Sequence, residues 1–181
     1  MESAESRNNF IESERVLMKN RLRASGWIAT ITVVLLPLVP GSPRNPPVIR
    51  EKTISAALDV PPHVQKVMDK ACASCHSNQT TWPWYSRVAP VSWLTARDVN
   101  LGRKAMNFSE WTEQDPSFSV GMLAAACGDI QSGRMPLAPY KMMHPEARLT
   151  PAEASAFCQW TNSAMQTIIA ARQTKGKAHI D

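Results

Sequence analysis

Hydrophobic positions along this chain repeat at helical spacing in four segments, most of them opened by a proline. Val64, Val67, Met68 and Ala71 fall at i, i+3, i+4 and i+7 and predict a helix starting near Pro62. A second pattern starts near Pro90, a residue suited to a first turn. It turns Leu94, Val99 and Trp93 inward, ends before Asn107, and leaves Arg97, Arg103 and Lys104 as a solvated face. A third helix is expected from Pro116 to Gln131 with Asp115 as its cap. Its Ala124-Ala125-Ala126 stretch allows close approach to another backbone, and Gly133 breaks the pattern after it. The last helix is the best signalled. Thr150-Pro151-Ala152-Glu153 reads as a capping box with proline at the first helical position. Phe157, Trp160, Ala164 and Ile168 then share one face, which should pack against the first helix. Arg172, Lys175 and Lys177 lie near its negative end, where cations are favoured. Trp111, in a connecting loop, reads as a core plug. The expected fold class is all-α.

The N-terminal part follows other rules. Residues 1–25 form a polar tail in which Arg15, Lys19, Arg21 and Arg23 have no acidic residue among them. An uncharged apolar run, 26–40, follows directly. Basic residues before an apolar segment are the pattern of a signal peptide or signal anchor, with the basic side kept in the cytoplasm. The run is shorter than the ~20 residues that usually span a bilayer, which leaves a buried core helix as the alternative. It ends Pro40-Gly41-Ser42-Pro43 with no small-x-small cleavage site, which favours an anchor. Residues 41–61, with Pro43, Pro46, Pro47 and Pro61, read as an extended spacer. A helical domain over 62–173 and a tail over 174–181 complete the expected organisation.

Composition changes this picture little. A hydrophobic share of 44% is enough for a packed core, and fourteen prolines against seven glycines suit punctuated helices over flexible linkers. The net charge of +5 is spread along the chain, and no dense basic run interleaved with aromatics points to nucleic acid. A mildly basic face can still steer an acidic partner protein.

The chemistry is concentrated in Cys72-Ala73-Ser74-Cys75-His76. Two thiols three apart with an imidazole immediately after match covalent haem attachment, each cysteine taking one vinyl group and the histidine taking the iron. A redox dithiol and half of a zinc site use the same spacing. Against zinc, Cys127 and Cys158 lie 31 apart with no paired motif; against the dithiol, a helical pattern precedes the cysteines where a strand is expected. Cys72 and Cys75 are read as continuing the last turn of the first helix. Trp82-Pro83-Trp84-Tyr85 could wall a flat porphyrin with its indole and phenol groups free for propionates, and Arg87 could pair with a propionate. Plain packing explains the same aromatics, and an exposed arginine the same cation. Met135, in a loop before Pro136, is the candidate second axial ligand, a soft neutral donor that raises the reduction potential. Met142, Met143 and His144 compete from the same loop and Met122 from further off, whereas His63 and His179 are poorly placed. Cys127 and Cys158 are left as either a disulfide or two buried thiols.

With these residues placed, the chain resembles the bacterial haem-binding domain proteins, related to class I cytochromes c, over roughly residues 45–162. The likeness rests on Asn45-Pro46-Pro47-Val48, Cys72-x-x-Cys75-His76-Ser77-Asn78, Trp82-Pro83-Trp84-Tyr85-Ser86 and Ala89-Pro90-Val91-Ser92-Trp93. It continues through Gly102-Arg103, Asn107-Phe108-Ser109-Glu110-Trp111, Met135-Pro136, His144-Pro145-Glu146-Ala147 and Trp160. The resemblance implies a small helical domain with one haem c outside the cytoplasm, commonly membrane-anchored, with His76 and Met135 on iron. It carries no assigned reaction, and nothing about Cys127 or Cys158. The expected function is therefore one-electron transfer with redox partner proteins in the periplasm, anchored at the inner membrane through 26–40. Two rivals stand beside it: a peroxidase-like enzyme or ligand sensor using His144 or Arg134 in an open distal pocket, and an anchoring haem subunit of a larger redox complex.

Overall fold

The computed structural model describes residues 14–15, 17–28, 30–31 and 44–177, with side chains described to residue 174. They fall into two compact units. One takes Pro83–Leu94 with the described residues before 43; the other takes the described residues of 43–82 and 95–181. Among the described residues the regular structure is helical, without a strand. The α-helices are α1 (Ile54–Ala57), α2 (Pro62–Ala71), α3 (Ala73–His76), α4 (Val91–Ala105), α5 (Pro116–Gln131), α6 (Ala138–Met143) and α7 (Pro151–Lys177). Short 3-10 turns lie at Arg50–Lys52, Trp84–Arg87, Trp111–Glu113 and Pro145–Ala147.

In the larger unit, local chemistry starts each long helix where the sequence marks it. Pro62 opens α2, whose Val64, Val67 and Met68 are buried as one stripe. Asp115 caps α5, its Oδ1 accepting the Ser117 N–H at 2.7 Å. Arg172 of α7 donates to the Ser117 hydroxyl at the same end. Both halves of the α7 capping box form: the Glu153 N–H donates to Thr150 Oγ1 at 3.2 Å, and the Thr150 N–H to Glu153 Oε2 at 2.8 Å. Lys70 of α2 donates to Glu153 Oε1 at 2.6 Å, so this cap also ties two helices together.

The core lies where α7 packs along α5 and against α2. Phe157, Trp160 and Ala164 join Val64, Val67, Met68, Met122 and Leu123, and Met106, Phe108 and Trp111 extend the cluster from the chain after α4. Each near-fully buried side chain of this kind contributes roughly 1.5–3 kcal/mol over its exposed state. The Trp160 indole N–H donates to the Asp59 carbonyl at 2.9 Å, so its polar atom is not left dry. Trp111 is the expected plug, at 3% exposure.

Four expectations need correction. Trp93 and Leu94 face solvent, whereas Val99 is buried as expected, together with Ser92 and Gly102. Val99 shares the inward side of α4 with small residues, so hydrophobicity alone wrongly adds Trp93 and Leu94 to it. Arg103 is half-buried and bonded, unlike the exposed Arg97 and Lys104. Cys72 does not continue α2: its φ of −123° and ψ of −47° break the helix, which resumes as the single turn α3. Finally, α7 runs to Lys177, into the segment expected as tail.

The smaller unit holds helical residues between 14 and 31, all exposed where described, and the Trp84–Arg87 turn. Of the expected signal or anchor segment, 26–28 and 30–31 are helical, and 29 and 32–40 lie outside the described residues. Among the described residues no helix is long and apolar enough to cross a membrane. His179 also lies outside them.

Candidate functional site

Cys72 is the pivot of the cysteine-histidine stretch. Its N–H closes α2 on the Met68 carbonyl at 2.9 Å, and its own carbonyl accepts from the N–H groups of Cys75 (3.0 Å) and His76 (2.9 Å). The break at Cys72 and the one-turn α3 put both thiols and the imidazole on a compact reverse of the chain. Ser77 ends the turn in extended backbone, its hydroxyl donating to the Ala73 carbonyl at 2.7 Å and accepting the Gln79 N–H at 2.9 Å. The His76 ring is oriented by one bond, from Nδ1 to the Met106 carbonyl at 3.1 Å. With its proton on Nδ1, the imidazole presents Nε2 as a lone-pair donor. Burial holds the His76 pKa below the ordinary histidine range, partly offset by the Met106 and Gly102 carbonyls and by Asp129, so the ring is neutral at pH 7.

A frame of backbone and side-chain contacts holds this turn. Gly102 of α4 lies against it so closely that a Cβ there would stand 2.6 Å from the Cys75 carbonyl oxygen and 3.1 Å from Cys75 Cβ. Only glycine permits that approach. The Arg103 guanidinium donates from Nε to the Ser77 carbonyl (2.8 Å) and from Nη2 to Asn45 Oδ1 (2.8 Å) and Thr80 Oγ1 (2.9 Å). Trp82 donates its indole N–H to the same Asn45 Oδ1 at 3.0 Å, so the indole group expected to be free is engaged. On the other side, Asn107 Nδ2 donates to Asn78 Oδ1 at 3.0 Å, and Asn78 Nδ2 to Glu110 Oε1 at 2.9 Å. The Phe108 N–H donates to the His76 carbonyl at 2.8 Å. These buried amides are all paired, which makes the frame rigid.

The thiols are not built for disulfide exchange. Burial, with Cys75 and Asp69 nearby, pushes the Cys72 thiol up to about 12; burial and Asp98 push Cys75 up to about 11 against the pull of Arg103. An exchange-active cysteine has its thiol lowered instead. Among the described residues, no group of three or more His, Cys, Asp or Glu side chains is placed to hold a metal ion. Two neutral thiols beside a neutral imidazole with an available Nε2 fit a haem, which takes one nitrogen ligand and two sulfur attachments from such a stretch. The model of the haem-binding domain matches residues 31–163. The chain belongs to the haem-binding domain family. No curated protein and no solved structure matches it.

The methionine loop of this haem-binding domain follows α5. Gly133, at φ +70°, takes the left-handed conformation that ends the helix. The Met135 N–H then donates to the Asp129 carbonyl at 3.1 Å, and Met135 is half-buried. Asp129 is the residue whose charge acts on His76, and its carboxylate pairs with Arg134 at 2.6 Å. The competing Met142 and Met143 are 76% and 55% exposed on α6, and Met122 is a core residue at 8%. Trp84, Tyr85 and Arg87 lie in the smaller unit. There the two rings meet edge to face at 5.9 Å, and Trp84 is 75% exposed. Cys127 and Cys158, left open by the sequence, form a disulfide between α5 and α7.

Three site residues carry no local signal in the sequence. Gly102 and Arg103 read as ordinary positions of a helix, although the pair belongs to the resemblance noted above. Tyr140 of α6 is half-buried and stacks on His144 at 4.4 Å, and burial raises its pKa against the opposing influence of Ser74. Ser74 is 66 positions away in sequence, so no spacing rule reveals their proximity.

Proposed function

We propose that this haem-binding domain carries one haem c and serves as a one-electron carrier outside the cytoplasm, in the manner of a class I cytochrome c. Cys72 and Cys75 hold the haem through thioether bonds, and His76 Nε2 and the Met135 thioether hold the iron. The bound group supplies Fe(III)/Fe(II) cycling; the chain supplies burial, ligands and hydrogen bonds that set its potential. The observation that carries this reading is the Nδ1 bond of His76 to the Met106 carbonyl beside the half-buried thiols of Cys72 and Cys75. It fixes the tautomer and leaves the nitrogen an iron needs. The half-buried Met135, beside exposed Met142 and Met143, supports its choice as the second ligand. The Cys127–Cys158 disulfide supports an oxidising compartment, in keeping with an export signal or inner-membrane anchor at 26–40 and with periplasmic redox partner proteins. Trp82, in the same unit as Cys72–His76, is a further candidate for a contact to the haem.

Intact mass and absorption of the purified protein test the reading together. One haem's added mass that survives acid-acetone extraction, and a weak methionine-to-iron charge-transfer band lost in Met135→Ala, are the expected results. Loss of haem on extraction refutes covalent attachment. A high-spin reduced form that binds carbon monoxide at once refutes the Met135 assignment and turns the reading toward a peroxidase-like enzyme or sensor.

A further inference from the structure

The end of α4 grips His76 from two sides. Arg103 holds the carbonyl of Ser77, the next residue in the chain, through Nε at 2.8 Å, and the Met106 carbonyl accepts from the ring at Nδ1 at 3.1 Å. Arg103 and Met106 lie three positions apart. The Met106 N–H closes on the Gly102 carbonyl at 2.9 Å, so helical hydrogen bonding carries the register of Arg103 to the Met106 carbonyl. Arg103 is itself braced. Its Nη2 donates to Asn45 Oδ1 at 2.8 Å and to Thr80 Oγ1 at 2.9 Å, while Asn45 Nδ2 donates to the Thr80 carbonyl at 2.8 Å. The Pro47 carbonyl accepts from Asn78 Nδ2 at 3.2 Å. The chain at Asn45–Pro47, expected as part of a spacer, is thus stitched to the segment that follows His76.

We infer that Arg103 is a positioning residue for His76, with Asn45 as its brace, and that the pair keeps the Met106 carbonyl at hydrogen-bond distance from the imidazole. The inference rests on the proposed ligation of iron by His76 and adds what sets the strength of that ligand. A hydrogen bond from Nδ1 makes an iron-bound imidazole a stronger donor, which favours Fe(III) and lowers the reduction potential. Slackening the grip therefore raises the potential and lets the Nδ1 proton exchange with water more often. Loss of the Arg103 charge acts in the opposite direction, because a cation close to iron disfavours Fe(III). The variants that separate the two effects keep the charge.

The experiment follows the His76 Nδ1 proton by NMR in the ferric full-length holoprotein, where the iron shifts its resonance clear of the rest, and measures the reduction potential of the same samples. The variants are Asn45→Ala, Arg103→Lys, their double and Asp115→Ala. Asn45 is exposed, so Asn45→Ala opens no cavity. Arg103→Lys keeps the charge without the planar group that reaches three acceptors. Asp115→Ala removes the cap at the start of α5 and controls for a general loss of stability. Asn45→Ala and Arg103→Lys are each expected to speed exchange about threefold to tenfold, the ratio one hydrogen bond sets, and to raise the potential. The double is expected to exchange no faster than the faster single. Unchanged exchange in both singles, effects that add in the double, an unchanged or lowered potential, or equal acceleration in Asp115→Ala overturns the inference and leaves the ligation standing. A ferric wild type with no iron-shifted, exchangeable imidazole proton shows that the His76 ligation has failed, and the inference with it. Should Arg103→Lys not fold, Asn45→Ala decides alone.

Discussion

A methyl group at position 102 is the smallest change that probes the Cys72–His76 turn. Placed 2.6 Å from the Cys75 carbonyl oxygen, it forces α4 or the turn to move, because the nearest atoms are backbone and not the end of a flexible side chain. Overpacking of this kind costs about 1–3 kcal/mol, offset by the ~1 kcal/mol that alanine gains over glycine within a helix. Gly102→Ala should therefore lower the urea midpoint and the yield of haem-loaded protein, and a midpoint equal to wild type would count against the close approach. Arg103→Lys tests the other side of the same turn. A lysine keeps the charge but cannot span the Ser77 carbonyl, Asn45 and Thr80 with one planar group. A loss of about 1–3 kcal/mol is expected in the same assay.

At the scale of elements, the start of α7 is the most directly checked. The Glu153 carboxyl is held below its ordinary value of 4.5, first by Lys70 and then by the Thr150 N–H. The unfolded chain therefore takes up this proton before the folded one does as pH falls. The stabilisation is fully present above 4.5 and is lost as pH drops through the folded value. The thermal midpoint of the wild type should fall more steeply below pH 4.5 than that of Glu153→Gln, and parallel curves would show that the cap carries no net linkage. Where a helix began was legible because caps and prolines act over one turn. The inward face of α4 was legible only at Val99, because Ser92 and Gly102 beside it are too polar or too small to stand out.

For the whole molecule, the Cys127–Cys158 disulfide joins the two longest packed helices across 31 positions. Closing a loop of that length in the unfolded chain is worth about 3–4 kcal/mol in the chain-entropy account. Cys127→Ala with Cys158→Ala should lower the denaturation midpoint accordingly, and excess reductant should bring the wild type to the same value. A wild type unmoved by reductant under unfolding conditions would show that the bridge is not formed in solution.

What the amino-acid order determined alone was local. The Asp115 and Thr150–Glu153 caps and the apolar stripe of α2 each depend on neighbours within a turn or two, and each was readable there. The tertiary structure decided everything that joins distant positions. It chose the Met106 carbonyl for His76, placed Gly102 against Cys75 and closed Cys127 on Cys158. These pairings follow from how helices pack, through the summed shape and burial of many side chains, and no spacing along the chain encodes that sum. The Cys72–His76 motif was therefore visible at once, while the frame that holds it appeared only when the chain was folded.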